Sequence, residues 1–100
     1  MAIASKLPGT ENDKEQMRKA VDNLKKIYQE KKKKEGLNQT KLAKLMGIKQ
    51  QSAISQYFLG KIDLNIVTVI NFAEALEVSP LEIWPELMQR VYDSYHPTKN

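Results

Sequence analysis

The stretch GIKQQSAISQYFLG, residues 47–60, decides how this chain reads. It opens and closes on glycine. Between the glycines, Ala53, Ile54, Tyr57 and Phe58 recur at helical spacing and make one apolar stripe. Gln51, Ser52, Ser55 and Gln56 fall on the opposite face, with Gln50 at its lip. A helix this short is not stable alone, so the stripe must be anchored to something larger. Ile54 is the natural anchor, and the polar face then projects outward.

The neighbouring segments supply the support. Asn38 caps a second short helix whose apolar face is Leu42, Ala43, Leu45 and Met46. Lys41 stands where a capping box would need an acid, so only the cap itself is predicted. Gly47 stops this helix because the turn needs positive φ. Ala43 is small enough to let the next helix cross. Two short helices joined by a tight turn after a glycine are the outline of a helix-turn-helix.

Further upstream, Met17, Val21, Leu24, Ile27 and Tyr28 mark one face of a long helix starting at about Asp13. Asn12 or Asp13 is its cap, and Gly36 ends it after a lysine-rich last turn that suits the helix dipole. Downstream, Asp63 or Asn65 caps a helix containing Ile66, Val67, Val69, Ile70, Phe72, Ala73 and Leu76. It is apolar nearly all round and is expected at the centre of the core. Ser79-Pro80-Leu81-Glu82 combines a capping box with proline at the first helical position. Pro85 comes too soon for that helix to run on unbroken. A single turn is therefore predicted at 80–84 and a last helix from Pro85 to about Tyr95, closed by Pro97. Trp84 is expected as a core plug. Nothing reads as a strand. The expectation is an all-α, compact five-helix domain over residues 13–96, with the helix-turn-helix at about 39–59. Residues 1–12 read as a flexible N-terminal arm and 97–100 as a tail.

Composition narrows the function. The chain has 100 residues, is 41% hydrophobic and has no cysteine, which excludes a disulfide framework, a thiolate metal site and a cysteine nucleophile. Its single histidine, His96, is expected exposed, with no metal role. Glu82 and Glu86 lie four apart but have no basic or nucleophilic partner nearby. There is no phosphate-cradling glycine loop and no triad set. No enzyme activity, cofactor or small-molecule ligand is expected. No apolar run is long enough to span a membrane, and the N-terminus has no signal-peptide pattern. A cytoplasmic setting without membrane partners is therefore expected.

Charge is uneven. Residues 1–50 hold 13 Lys/Arg against 6 Asp/Glu, and residues 51–100 hold 3 against 6. No acid occurs between Glu35 and Asp63, whereas Lys41, Lys44, Lys49 and Lys61 fall in that window. A solvated lysine-rich surface satisfies the charge alone. A helical hairpin with a polar exposed face likewise satisfies the helix pattern alone. The two together favour double-stranded DNA, because phosphates attract such a segment and glutamine pairs bidentately with adenine in the major groove. The rival reading is a protein-interaction module, antitoxin-like or adaptor, and the basic first half argues against it. Within Lys31–Lys34, only one or two lysines can face a duplex.

The runs LKKIYQEKKKKEGLNQTKLAKLMGI (24–48) and NIVTVINFAEALEVSPLEIWPELMQRVYDSY (65–95) resemble the DNA-binding domain of phage lambda-type repressors, within the wider Cro-type helix-turn-helix family. The resemblance spans about residues 24–95. It implies a repressor, in a bacterial host cell, that binds operator half-sites as a homodimer. By that resemblance Gln51 and Ser52 open the helix that reads base edges, with Gln50, Ser55 and Gln56 beside them. Gln39 is implied to contact phosphate and to brace the glutamine opening the reading helix. Asn65 is implied to contact phosphate, with Tyr28 and Lys32 beside the backbone and Lys49 and Lys61 adding charge. Val91, Ser94 and Tyr95 match the family's dimer face. Leu87, Val91 and Tyr95 share one helical stripe, which serves either as that seam or as packing on the domain's own core.

Two features depart from the family. Gly47 to Gly60 spans 13 steps, one more than the family pattern. The extra residue is expected in the turn, at Lys49 or Gln50, which leaves Gln51 leading; if the helix starts one residue early, Gln50 leads. The family's arm is strongly basic, whereas here only Lys6 precedes residue 14, so an arm wrapping DNA is not implied. In that family the chain continues into a self-cleaving dimerisation domain, which this sequence does not include.

Overall fold

The computed structural model describes the backbone of residues 11–95 and the side chains of 14–94. The described residues form six helical elements and no strand: α1 (Glu11–Glu35), α2 (Gln39–Met46), α3 (Ser52–Phe58), α4 (Ile66–Leu76), α5 (Pro80–Ile83) and α6 (Pro85–Tyr95). The fold is all-α, as the periodicity predicts. The single turn expected at 80–84 is α5, and the five longer segments are the other helices.

Several starts and stops have a local cause. Asn38 Oδ1 accepts from the Lys41 N–H at 2.8 Å, and Asn65 Oδ1 accepts from the Thr68 N–H at 2.9 Å. Asn65, not Asp63, is therefore the cap of α4. Ser79 and Glu82 form a reciprocal capping box at α5. Gly36 ends α1 at φ 71° and Gly47 ends α2 at φ 73°. At Gly47 the N–H bonds to the Lys44 carbonyl and the Ile48 N–H to the Ala43 carbonyl, a Schellman closure. The same closure ends α4, where Glu77 takes the left-handed conformation at φ 60°.

The core is a single cluster. Leu24 of α1, Leu42 of α2, Ile54 of α3, Val69, Phe72 and Leu76 of α4 and Ile83 of α5 are all fully buried. Trp84 is also buried, as expected of a plug. The Asn23 side chain donates to the Ile83 carbonyl at 3.0 Å and ties α1 to the end of α5.

Three expectations are corrected. α1 begins at Glu11, so Asn12 and Asp13 lie inside it; no glycine or proline occurs from Glu11 to Glu35 to break the helix. Leu45, placed on the apolar face of α2, is 63% exposed, because a short helix has room for one inward face and Leu42 and Ala43 occupy it. α4 is not buried all round. Val67 is 65% exposed and Ile66 is also open, since α4 buries the face of Val69, Phe72, Ala73 and Leu76 and Val67 shares the opposite face with the exposed Asn71 and Glu74. Residues 1–10 of the expected arm, His96 and the tail lie outside the described residues.

Candidate nucleic-acid interface

α3 is pinned from behind. Ile54 is fully buried, and Phe58 sits between two helices. The Phe58 ring centroid lies 5.1 Å from that of Tyr28 on α1 and 6.3 Å from that of Phe72 on α4. Tyr57 meets Phe72 edge-on at 5.4 Å. Such aromatic pairs add specific geometry to the area they bury. With these contacts fixing one face, Gln51, Ser52 and Gln56 are exposed on the other, and Ser55 is half-buried.

The entry to α3 lies at Gln50 and Gln51. Gln51 already has helical dihedrals, φ −57° and ψ −31°, while Lys49 and Gln50 lie in the irregular link after Gly47. The Gln50 carbonyl accepts from the Ala53 N–H at 3.1 Å and so opens the first turn. Gln51 thus stands as the N-cap residue of α3, directly after that link. No side chain caps this end of α3.

The side chain of Gln51 is held all the same. Thr40 Oγ1 donates to Gln51 Oε1 at 2.6 Å. The brace expected from Gln39 therefore comes from its neighbour, because the hydroxyl of Thr40 reaches the glutamine across the α2–α3 turn. With Oε1 fixed, the exposed Gln51 keeps an amide nitrogen that donates to no other described residue, so both its protons are available. Nothing in the sequence singles out Thr40, whose role depends on a contact between residues 11 apart.

The remaining candidates divide. Lys32, Lys49 and Lys61 are exposed, as are Lys41 and Lys44 in the acid-free window. Gln39 is half-buried at the start of α2. Asn65 is exposed and spends its side-chain oxygen on the α4 cap and on the Thr68 hydroxyl at 3.1 Å, which leaves its amide nitrogen free to donate. Tyr28 is placed by periodicity on the inward face of α1 and by the resemblance beside the phosphate backbone, and the structure follows the periodicity. It is 5% exposed and belongs to the core, because its ring completes the aromatic stack under α3. On α6, Leu87 packs against the domain's own core, Val91 is half-buried and Ser94 is exposed. The side chain of Tyr95 lies outside the described ones.

Among the described residues no helix is long and apolar enough to cross a membrane, and no cluster of three or more potential metal ligands occurs. No curated protein matches the chain. A helix-turn-helix family model matches residues 21–83, from the middle of α1 through α5. The matched span contains α2, the Gly47 turn and α3, and it exceeds half of the chain. The chain belongs to the Cro/C1-type helix-turn-helix family of DNA-binding transcription regulators.

Proposed function

We propose that the protein is a phage-type repressor that binds a two-fold symmetric operator as a homodimer. α3 enters the major groove, where Gln51, Ser52, Ser55 and Gln56 read base edges and Gln50 lies at the margin. Gln39, Lys32, Lys49, Lys61 and Asn65 position the domain on phosphates, and Tyr28 contributes at most its residual exposed edge. The dimer forms through α6 along Val91, Ser94 and Tyr95, with Leu87 buttressing that face from the core.

The observation that carries this reading is the pre-set Gln51. Its side chain is exposed, tethered by Thr40 and set at the first turn of an uncapped helix, on a surface free of acids from Lys41 to Lys61. A tethered amide gives up less rotamer freedom on meeting a base edge.

Selection of bound duplexes from a random pool tests the proposal directly. The expected product is a palindromic site whose half-sites lie roughly 34 Å apart, one helical turn. No enrichment, together with no binding at low salt, would sink it. Sedimentation across a dilution series reads the dimer, and a promoter overlapping the selected site reads repression against activation. Lys32→Ala should weaken every sequence alike and flatten the salt slope by about 1. An unchanged slope removes Lys32 from the phosphate footprint.

A further inference from the structure

An open groove of about 960 Å³ runs between the N-terminal half of α1, the α3–α4 link and α6. Its size falls in the range of small-molecule sites. Met17, Val21, Leu87 and Trp84 supply apolar wall, and the exposed Leu59 and Val67 extend that surface at the link. Lys14, Arg18 and Lys25 lie along the α1 side and Arg90 on the α6 side, against two acids, Asp22 and Asp63. None of the four cations makes an ion pair with another described residue; the single such pair is Lys31–Glu35, at the other end of α1. The lining is therefore apolar in body and cationic in balance. Lys14 to Lys25 extends about 16 Å along the helix, which suits an elongated ligand.

Trp84 is 6% exposed and lines the groove, so its indole forms part of the apolar wall. A nucleic acid backbone would meet the cations but has no apolar body for the walls.

We propose that this groove binds an amphipathic organic anion of the medium-chain carboxylate class, its chain along the apolar wall and its carboxylate at the cationic lining. The sequence carries no sign of such a ligand, because the lining comes from α1, the α3–α4 link and α6. Asn65, the cap of α4, also lines the groove. An anion there sits against the proposed phosphate anchor and lowers DNA affinity, and DNA lowers ligand affinity by the same factor. This coupling rests on the proposed DNA footprint; the binding site does not.

Trp84 is the only tryptophan and serves as the reporter. Dodecanoate, titrated below its micelle threshold into the full chain without DNA, should change Trp84 fluorescence saturably with one molecule per chain. Uncharged dodecanol should bind about ten-fold more weakly, as expected for loss of a charge-assisted contact. The Arg18→Gln/Arg90→Gln double variant, both residues being exposed, should keep its helical circular dichroism and its ligand-free DNA affinity while losing dodecanoate affinity by a similar factor. No saturable change, equal binding of dodecanol, or an unaffected double variant overturns the site. Dodecanoate binding that leaves DNA affinity unchanged overturns the coupling. Failure of the ligand-free protein to bind DNA counts against the proposed function, not against the groove.

Discussion

α2 and α3 differ by one residue in length and pack against each other, yet they are held by opposite means. α2 is closed by its own sequence. Asn38 caps its first turn, and Gly47 and Ile48 complete its last. α3 has no side-chain cap at its start. What holds it is tertiary: Ile54 in the core, the Tyr28–Phe58–Phe72 stack behind it, and Thr40 reaching over to Gln51. The supporting helix is secured locally, whereas the presenting helix is secured from behind. Its leading polar side chains are thereby released from capping and left for a partner.

The contrast is most exposed to failure at Ile54. Ile54→Ala removes a fully buried side chain and should cost about 2–5 kcal/mol in urea unfolding. A loss within about 0.5 kcal/mol, the range of an ordinary surface change, would mean that α3 is not anchored there. Gln51→Ala should do the reverse. Stability should move by no more than about 0.5 kcal/mol, while discrimination at one base pair falls by about 1–3 kcal/mol. Equal losses on cognate and random DNA would argue against a reading role. Asn38→Ala tests the local half of the contrast and should lower stability by about 1 kcal/mol. If it leaves the melting curve in place, α2 is also held mainly by packing. The mildest effect belongs to Thr40→Val, which frees Gln51. Cognate affinity should drop by about 0.5–1 kcal/mol with unfolding unchanged. Full cognate affinity in that variant would show that the tether does not pre-set the glutamine.

Legibility divides along the same line. Asn38, Asn65, the Ser79–Glu82 box and the glycines at 36 and 47 act on bonds two to five residues away, and each does in the structure what its spacing predicts. The inward faces are equally readable where a helix is long, as for Leu24 and Val21. Short helices are harder. Leu45 reads as core because hydrophobicity alone does not say which of four apolar residues in one helix will face inward. Val67 reads as buried because α4 is apolar on several sides, but only the face of Val69, Phe72 and Leu76 is covered. Resemblance to a family puts Tyr28 beside the phosphate backbone, whereas its place in the apolar stripe of α1 puts it inside, where it stacks on Phe58. Within the candidate interface, the polar face of α3 is legible from periodicity, and the hydroxyl that holds Gln51 is not.

Period, capping and backbone freedom act over a turn or two of chain. They are written in the residues themselves, and they specify the helices, their ends and the pairing of two short helices about Gly47. Packing settles the rest. It sets the Thr40 hydroxyl on Gln51, leaves Leu45 and Val67 outside the core, and stacks Tyr28 on Phe58. It also opens the groove beside Trp84. Each of these depends on distances between residues far apart in the chain, and such distances exist only once the helices have come together.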